Sequence, residues 1–221
     1  MKVMLLAAGR GERMGELTDL CPKPLLQVAG KSLIEHHILG LKAQGFKEFV
    51  INVAYRGQQI MELLRSGEQW GVNIVYSDEG NNALETGGGL FKALPLLGEN
   101  HFLVVNADIW TDYPFGVLRD KVDKMAHLVL VPNPSHHAQG DFTISNGQLL
   151  GNANENYTYS GIGVYHPKLF VGQRQGRFPL APLIRAAIDQ EQVTGELYEK
   201  KWVDVGTPER LQDVERYLIA N

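Results

Sequence analysis

The chain opens with an apolar run, Val3-Met4-Leu5-Leu6-Ala7-Ala8, that ends in Gly9-Arg10-Gly11-Glu12-Arg13, with Pro22-Lys23-Pro24 close behind. A buried strand that hands small residues, glycines and fixed positive charge to its own loop restricts the fold sharply. Gly9 and Gly11 let the backbone approach a ligand with no Cβ in the way, and successive free N–H groups in such a turn form an anion-binding nest. Arg13 adds a planar fork for phosphate oxygens, and Lys23 a point charge fixed between two prolines. A triphosphate is therefore the first candidate ligand. Two common glycine motifs do not match. A P-loop needs a Gly-Lys-Ser/Thr sequence that this stretch does not have. A dinucleotide fingerprint needs its third glycine where Met14 stands, and Gly15 comes one place late.

Leu5-Leu6-Ala7-Ala8-Gly9-Arg10-Gly11-Glu12-Arg13-Met14, then Leu17-Thr18, then Pro22-Lys23-Pro24-Leu25 resembles the signature loop of the sugar-1-phosphate nucleotidyltransferases. These enzymes join a nucleoside triphosphate to a sugar 1-phosphate and release pyrophosphate. The resemblance implies that Ala8, Gly9, Gly11, Arg13 and Lys23 bind the nucleotide, with Arg13 and Lys23 acting on the reacting phosphates. Many members place a proline before the Leu-Thr pair, where this chain has Glu16.

At 221 residues the chain fits one domain with a substantial core. A net charge of −4 argues against a nucleic-acid partner and for small ligands held by local groups. The start has no signal-peptide layout, and no apolar run approaches the roughly 20 residues of a membrane span. The expectation is a cytoplasmic protein with no membrane partner. The single cysteine, Cys21, excludes an internal disulfide and reads as a passive loop residue.

Further along, Ser32 is a possible N-cap for a helix in which Leu33, Ile34, His37, Ile38 and Leu41 share one face. His36 and His37 are adjacent and point in different directions, so they read as structural. Phe46–Val53 and Val72–Tyr76 read as strands with a helix from Gly57 to Leu64 between them. The acid that a dinucleotide-binding fold places at the end of its second strand is missing, since Asn52 and Ala54 stand there. Strands separated by helices imply parallel pairing and right-handed crossovers. The expected fold is a three-layer α/β/α sandwich with a mainly parallel, Rossmann-like central sheet and a small acceptor-side β-hairpin region. Residues 1–112 would mainly serve the nucleotide, and 113–221 mainly the sugar phosphate and a second metal ligand. Ligands in such sheets sit at the carboxyl ends of the strands.

Leu84-Glu85-Thr86-Gly87-Gly88-Gly89 is a second constellation. By itself it could be a hinge, or a bare surface on which a flat base lies. In the nucleotidyltransferases a glycine-rich turn lines the base pocket, and this form is similar to that of the N-acetylmuramate 1-phosphate uridylyltransferases. The resemblance therefore implies Gly87 and Gly88 as base contacts, with Glu85 beside them. His101–Asp108 is a strand running into an acid, which is costly to bury unless it is paired or holds a metal. The resemblance assigns Asp108 as a Mg²⁺ ligand and leaves Asn106 and Thr111 within reach of ribose or sugar.

Two prolines, Pro132 and Pro134, forbid a helix before Asp141, so this segment is a loop crossing to the acceptor side; His136 and His137 within it read as solvent-exposed, or else as sugar contacts. Asn146-Gly147 signals a hairpin between Thr143 and Leu150. Many relatives carry a Glu-Lys-Pro motif near here whose lysine binds the sugar phosphate, and this chain does not. Asp141, Glu155 and Gly161 are the candidate sugar-phosphate contacts, Gly161 on a strand resembling the one under the acceptor sugar. Pro179–Gln190 reads as an amphipathic helix, and Thr194–Tyr198 as the start of a last hairpin. Trp202-Val203-Asp204-Val205-Gly206-Thr207-Pro208-Glu209 could be a turn and a helix start by local chemistry, with Pro208 at the first helical position. Its resemblance to a superfamily motif makes Asp204 the second Mg²⁺ ligand.

The resemblance favours UTP and N-acetylmuramic acid 1-phosphate as partners, giving UDP-N-acetylmuramic acid for peptidoglycan recycling. Alternatives are a mannose-1-phosphate guanylyltransferase, a glucose-1-phosphate thymidylyltransferase, or a nucleotide-sensing domain without turnover. Larger relatives carry an extra domain that this sequence does not show, which leads to an expected monomer.

Overall fold

Helical crossovers between parallel strands build the half of the sheet that carries the glycine loop. The computed structural model describes residues 1–150 and 156–220. It begins with β1 (Val3–Leu6) and, past the loop, a two-stranded ladder of β2 (Gln27–Val28) and β3 (Lys31–Ser32). Helix α1 (Leu33–Ala43) then starts on a capping box: the Ser32 side chain accepts from the Glu35 N–H, and the Glu35 carboxylate accepts from the Ser32 N–H. The five residues expected on its inner face are all buried. Next come β4 (Glu48–Val53), α2 (Gly57–Leu64), β5 (Asn73–Asp78), α3 (Glu85–Leu97), β6 (Phe102–Asn106) and β7 (Ile109–Thr111). The second half holds β8 (Ala126–Val131), β9 (Thr143–Ser145), β10 (Gln148–Leu150), β11 (Thr158–Tyr165), α4 (Ala181–Asp189), β12 (Val193–Leu197), β13 (Trp202–Asp204) and α5 (Pro208–Ala220).

The main sheet has nine strands in the order β5-β4-β1-β6-β11-β8-β12-β10-β9. Strands β5, β4, β1 and β6 are parallel, and β11 runs antiparallel to both β6 and β8. Strand β12 is again parallel to β8, and the β9–β10 hairpin closes the edge. Its turn residues Asn146 and Gly147 have φ of 51° and 77°, the positive values such a two-residue turn requires. This is the expected layered fold, with the hairpin at one edge of the sheet.

Registry sorts the core onto two faces. Met4 lies beside Val50 and Val104, and Leu5 beside Ile51 and Val105. A period of two sends the first row to one face and the second row to the other. Ile34 and Ile38 of α1 with Ile60 and Leu64 of α2 cover the Leu5 row, while Leu90 of α3 and Ile184 and Ile188 of α4 cover the Met4 row. A third cluster joins Met14 of the first loop to Leu26, Val28, Leu33, Trp110, Val205 and Val214 of α5. The C-terminal helix therefore braces the glycine loop.

One expectation changes. The segment from Thr194 does not form a hairpin with the next strand: β12 lies inside the main sheet between β8 and β10, and β13 pairs with β7 in a separate ladder, Asp204 opposite Ile109. A strand–turn–strand pattern reads the same whether the second strand pairs with the first or leaves for another partner. Among the described residues, no helix is long and apolar enough to cross a membrane.

His37 sits wholly inside this core, donating from Nε2 to the Ile109 carbonyl at 2.7 Å. Burial lowers its pKa to about 4, against the upward pull of that carbonyl. The folded value lies below the unfolded one of about 6.5, so the unfolded chain binds the proton more tightly. The contribution to stability is complete above pH ~6.5 and is lost as pH falls toward 4, about 3 kcal/mol in all. Urea denaturation from pH 7.5 down to 4.5 should show that loss, and His37→Gln, though less stable at neutral pH, should remove this part of the slope.

Candidate active site

The carboxyl ends of β1, β4, β5 and β6 meet at one cleft of about 220 Å³, lined among others by Ala8, Gly9, Gly11, Lys23, Asn106 and Asp108. Lys23 reaches it because Pro22 and Pro24 set a single 3₁₀ turn over Lys23–Leu25. Its stem lies against Gly11, where an added Cβ would fall 2.9 Å from the Lys23 Cβ and where φ is +72°. The lysine is 5% exposed and its ammonium donates to Asp108 Oδ2 at 2.8 Å.

Asp204 arrives from the other ladder. The Val205 N–H donates to the Asp108 carbonyl at 2.8 Å, so the two aspartates stand on neighbouring backbones. Asp204 is ion-paired with Arg210, and His136 Nε2 lies 3.1 Å from its Oδ2. Burial, then Arg210 and Arg13, press the His136 imidazole below its ordinary range. This histidine belongs to the proline loop and is exposed, as expected, and it also touches an aspartate of the site.

The donor set suits a magnesium ion. Among the described residues no group of three or more His, Cys, Asp or Glu gathers. Asp108 and Asp204 offer hard oxygens and leave most positions of an octahedral ion to phosphate oxygens and water, as Mg²⁺ prefers. Each carboxylate already holds a positive charge, one from Lys23 and one from Arg210.

A buried polar chain supports the same wall. Asn52 Oδ1 accepts from the Ala7 N–H at 2.8 Å, and its amide donates to Glu79 Oε1 at 2.7 Å. Glu79 Oε2 accepts from the Leu84 N–H at 2.6 Å, and the residue is 8% exposed. One carboxylate thus ties the first loop, β4 and the entry to α3 together. Sequence reading passed over Glu79, although an acid at the end of a strand is the signal that singled out Asp108. Arg210 was also passed over, because one charge in the first turn of a helix reads as solvated.

The glycine turn differs from its expected layout. Gly87 and Gly88 are buried behind the cleft wall, not on it. A Cβ on Gly87 would meet the Phe178 ring at 2.6 Å, and one on Gly88 the Gly176 carbonyl at 2.2 Å. Their bareness serves packing against residues 176–178, and the Gly88 N–H donates to the Phe178 carbonyl at 3.0 Å. Glu85 and Thr86 are the residues of this turn that line the cleft, and Glu85 also pairs with Arg177 at 3.0 Å.

On β11, Gly161 lies directly under Asn106. A Cβ there would fall 2.6 Å from the Asn106 amide nitrogen, at a β11 bulge where φ is +80°. Its bare face is taken by Asn106. Asp141 accepts from the Tyr159 N–H at 2.8 Å and faces His137 at 3.1 Å. It lines a second cavity with Tyr159, Leu180 and Arg185, which shares Glu85 and Thr86 with the first. Glu155 lies outside the described residues. His36 and His37 are structural, bonded to the Val28 and Ile109 carbonyls.

Glu79→Gln must leave either the Asn52 amide or the Leu84 N–H facing a donor. A loss of about 1–3 kcal/mol is expected by urea denaturation. Glu85→Gln, at a half-exposed ion pair, should stay within about 0.5 kcal/mol.

A nucleotidyl transferase family model matches residues 2–144. The N-acetylmuramate alpha-1-phosphate uridylyltransferase of Neisseria meningitidis serogroup B is 46% identical, over 97% of this chain and 97% of that protein. That of Caulobacter vibrioides is 35% identical, over 93% and 92%. A Bacillus anthracis crystal structure, named as a candidate glucose-1-phosphate thymidylyltransferase, superposes with a TM-score of 0.87 at 21% identity, covering 98% of this chain and 94% of that one. At that identity the likeness speaks for the fold.

Proposed function

The chain belongs to the nucleotidyl transferase family, and we propose that within it this protein joins UTP to N-acetylmuramic acid 1-phosphate, forming UDP-N-acetylmuramic acid and pyrophosphate. The observation that carries this is the meeting of the glycine loop and Lys23 with Asp108 and Asp204 at one edge of the sheet. The choice of base and sugar rests on the uridylyltransferases that match this chain over almost its whole length.

The chemistry asks little of a general base. A sugar 1-phosphate has its second pKa near 6, so its oxygen is already ionised at neutral pH. That oxygen attacks the α-phosphorus, the bond to the bridging oxygen of the β-phosphate breaks, and pyrophosphate leaves with the electron pair. The barrier is the approach of two anions and the charge left on the departing group, a task for positioning and positive charge. Backbone N–H groups at Ala8, Gly9 and Gly11 and the Arg13 guanidinium would hold the β- and γ-phosphates. Lys23, freed from Asp108, would sit between the α-phosphate and the incoming phosphate. Asp108 and Asp204 would hold Mg²⁺, which when bound neutralises phosphate charge and keeps the reacting groups together. Glu85 and Asn106 would face the nucleoside and Asp141 the acceptor, with Gly161 making room for Asn106.

The proposed role is peptidoglycan recycling in the cytoplasm, where the UTP pool lies. The proposed acting unit is a monomer.

Pyrophosphate release should be measured across UTP, dTTP, GTP, CTP and ATP against N-acetylmuramic acid, N-acetylglucosamine, glucose and mannose 1-phosphates. A maximum at UTP with N-acetylmuramic acid 1-phosphate is expected. A maximum elsewhere would replace the substrate, and nucleotide binding without release in any pair would favour a sensing domain. Asp108→Asn and Asp204→Asn should each lower turnover by at least about 10²-fold while changing nucleotide affinity far less. Near-normal turnover in either variant would remove that aspartate from the metal site.

A further inference from the structure

Three side-chain cations stand about the segments that carry the two aspartates. Lys23 is committed to Asp108. Arg210, on the first turn of α5, has a side chain only 19% exposed; it is paired with Asp204 and lies 3.0 Å from His136 Nε2. Arg13 reaches the same place from the glycine loop. The point a Gly206 Cβ would occupy lies 2.9 Å from Arg210 Nη2 and 3.0 Å from Arg13 Nη2. The two guanidiniums thus converge on one bare backbone position, and a side chain there would have to push both aside.

Like charges do not converge without a reason. Among the described residues Arg13 has no carboxylate partner, whereas the Arg210 partner is one of the two proposed metal ligands. A divalent ion drawing on Asp204 would therefore release a guanidinium already beside Arg13. Two forks side by side offer paired donors to the non-bridging oxygens of both linked phosphates. We propose that Arg210 is the second arginine of the pyrophosphate site, parked on Asp204 until a polyphosphate arrives and then shared with Arg13 on the leaving group. This rests on the reading of the cleft as a nucleotidyl-transfer site. It gives the chain a cation for the departing pyrophosphate that lies some 200 residues beyond the glycine loop. A plain latch that only orients Asp204 would use the same ion pair and would never touch the anion.

Inorganic pyrophosphate, titrated calorimetrically into the full chain with divalent ions chelated, separates the two. Arg210→Met should weaken binding at least tenfold, and Arg210→Lys should recover part of it. Asp204→Asn should tighten binding several-fold by freeing the guanidinium, and that gain should shrink below twofold in the Asp204→Asn, Arg210→Met double variant. Thermal melts of every variant check whether the fold is kept. Unchanged pyrophosphate affinity in Arg210→Met, or an equal gain from Asp204→Asn in both backgrounds, would overturn the role of Arg210 and leave the family reaction untouched. No pyrophosphate binding by the native chain would overturn the reading of the cleft itself.

Discussion

Burying a lysine ammonium to 5% exposure is costly without a partner, and the Lys23–Asp108 contact supplies one. The pair joins the end of the glycine loop to the carboxyl end of β6, the neighbour of β1 in the sheet. Breaking the pair from the carboxylate side leaves the buried ammonium uncompensated. The cost of burial therefore keeps a long loop closed over the sheet edge. The contact is also poised, because its carboxylate is 44% exposed and open to another cation.

Two other devices hold the loop against the rest of the protein. From below, Asn52 and Glu79 satisfy the N–H groups of Ala7 and Leu84, so the ends of β1, β4 and β5 meet without orphaned polar groups. From the side, Met14 packs into a cluster with α5, where Trp110 and Tyr217 meet ring to ring at 5.1 Å. The helix after Asp204 is thus part of the loop's support, and it also presents Arg210 to the same place.

The direction of the strands divides the cleft. Parallel strands end together at the edge that carries the glycine loop, while β11 runs against them and offers the bulge at Gly161 beneath Asn106. A bulge turns a continuous sheet into a step, and the cavity with Asp141 and Tyr159 opens beyond it. The two halves of the chain share a sheet through β6 and β11, so their relative position is set by hydrogen-bond register.

Much of this was legible in the linear sequence. The layered fold, the capped α1 and its inner face follow from apolar periodicity and from one Ser and one Glu three residues apart. The glycine loop and the Asn146-Gly147 turn are local chemistry, written in contiguous residues. Tertiary structure alone decided what depends on the meeting of distant segments: the pairing of β13 with β7, the burial of Gly87 and Gly88 against residues 176–178, the Asn52–Glu79 chain, and the convergence of Arg13 with Arg210 over Gly206. Local patterns record which face of a strand or helix is apolar, because that is a property of neighbours in sequence. Which charge meets which is settled only when desolvation forces buried polar groups to find partners, and those partners come from wherever the folded chain brings them.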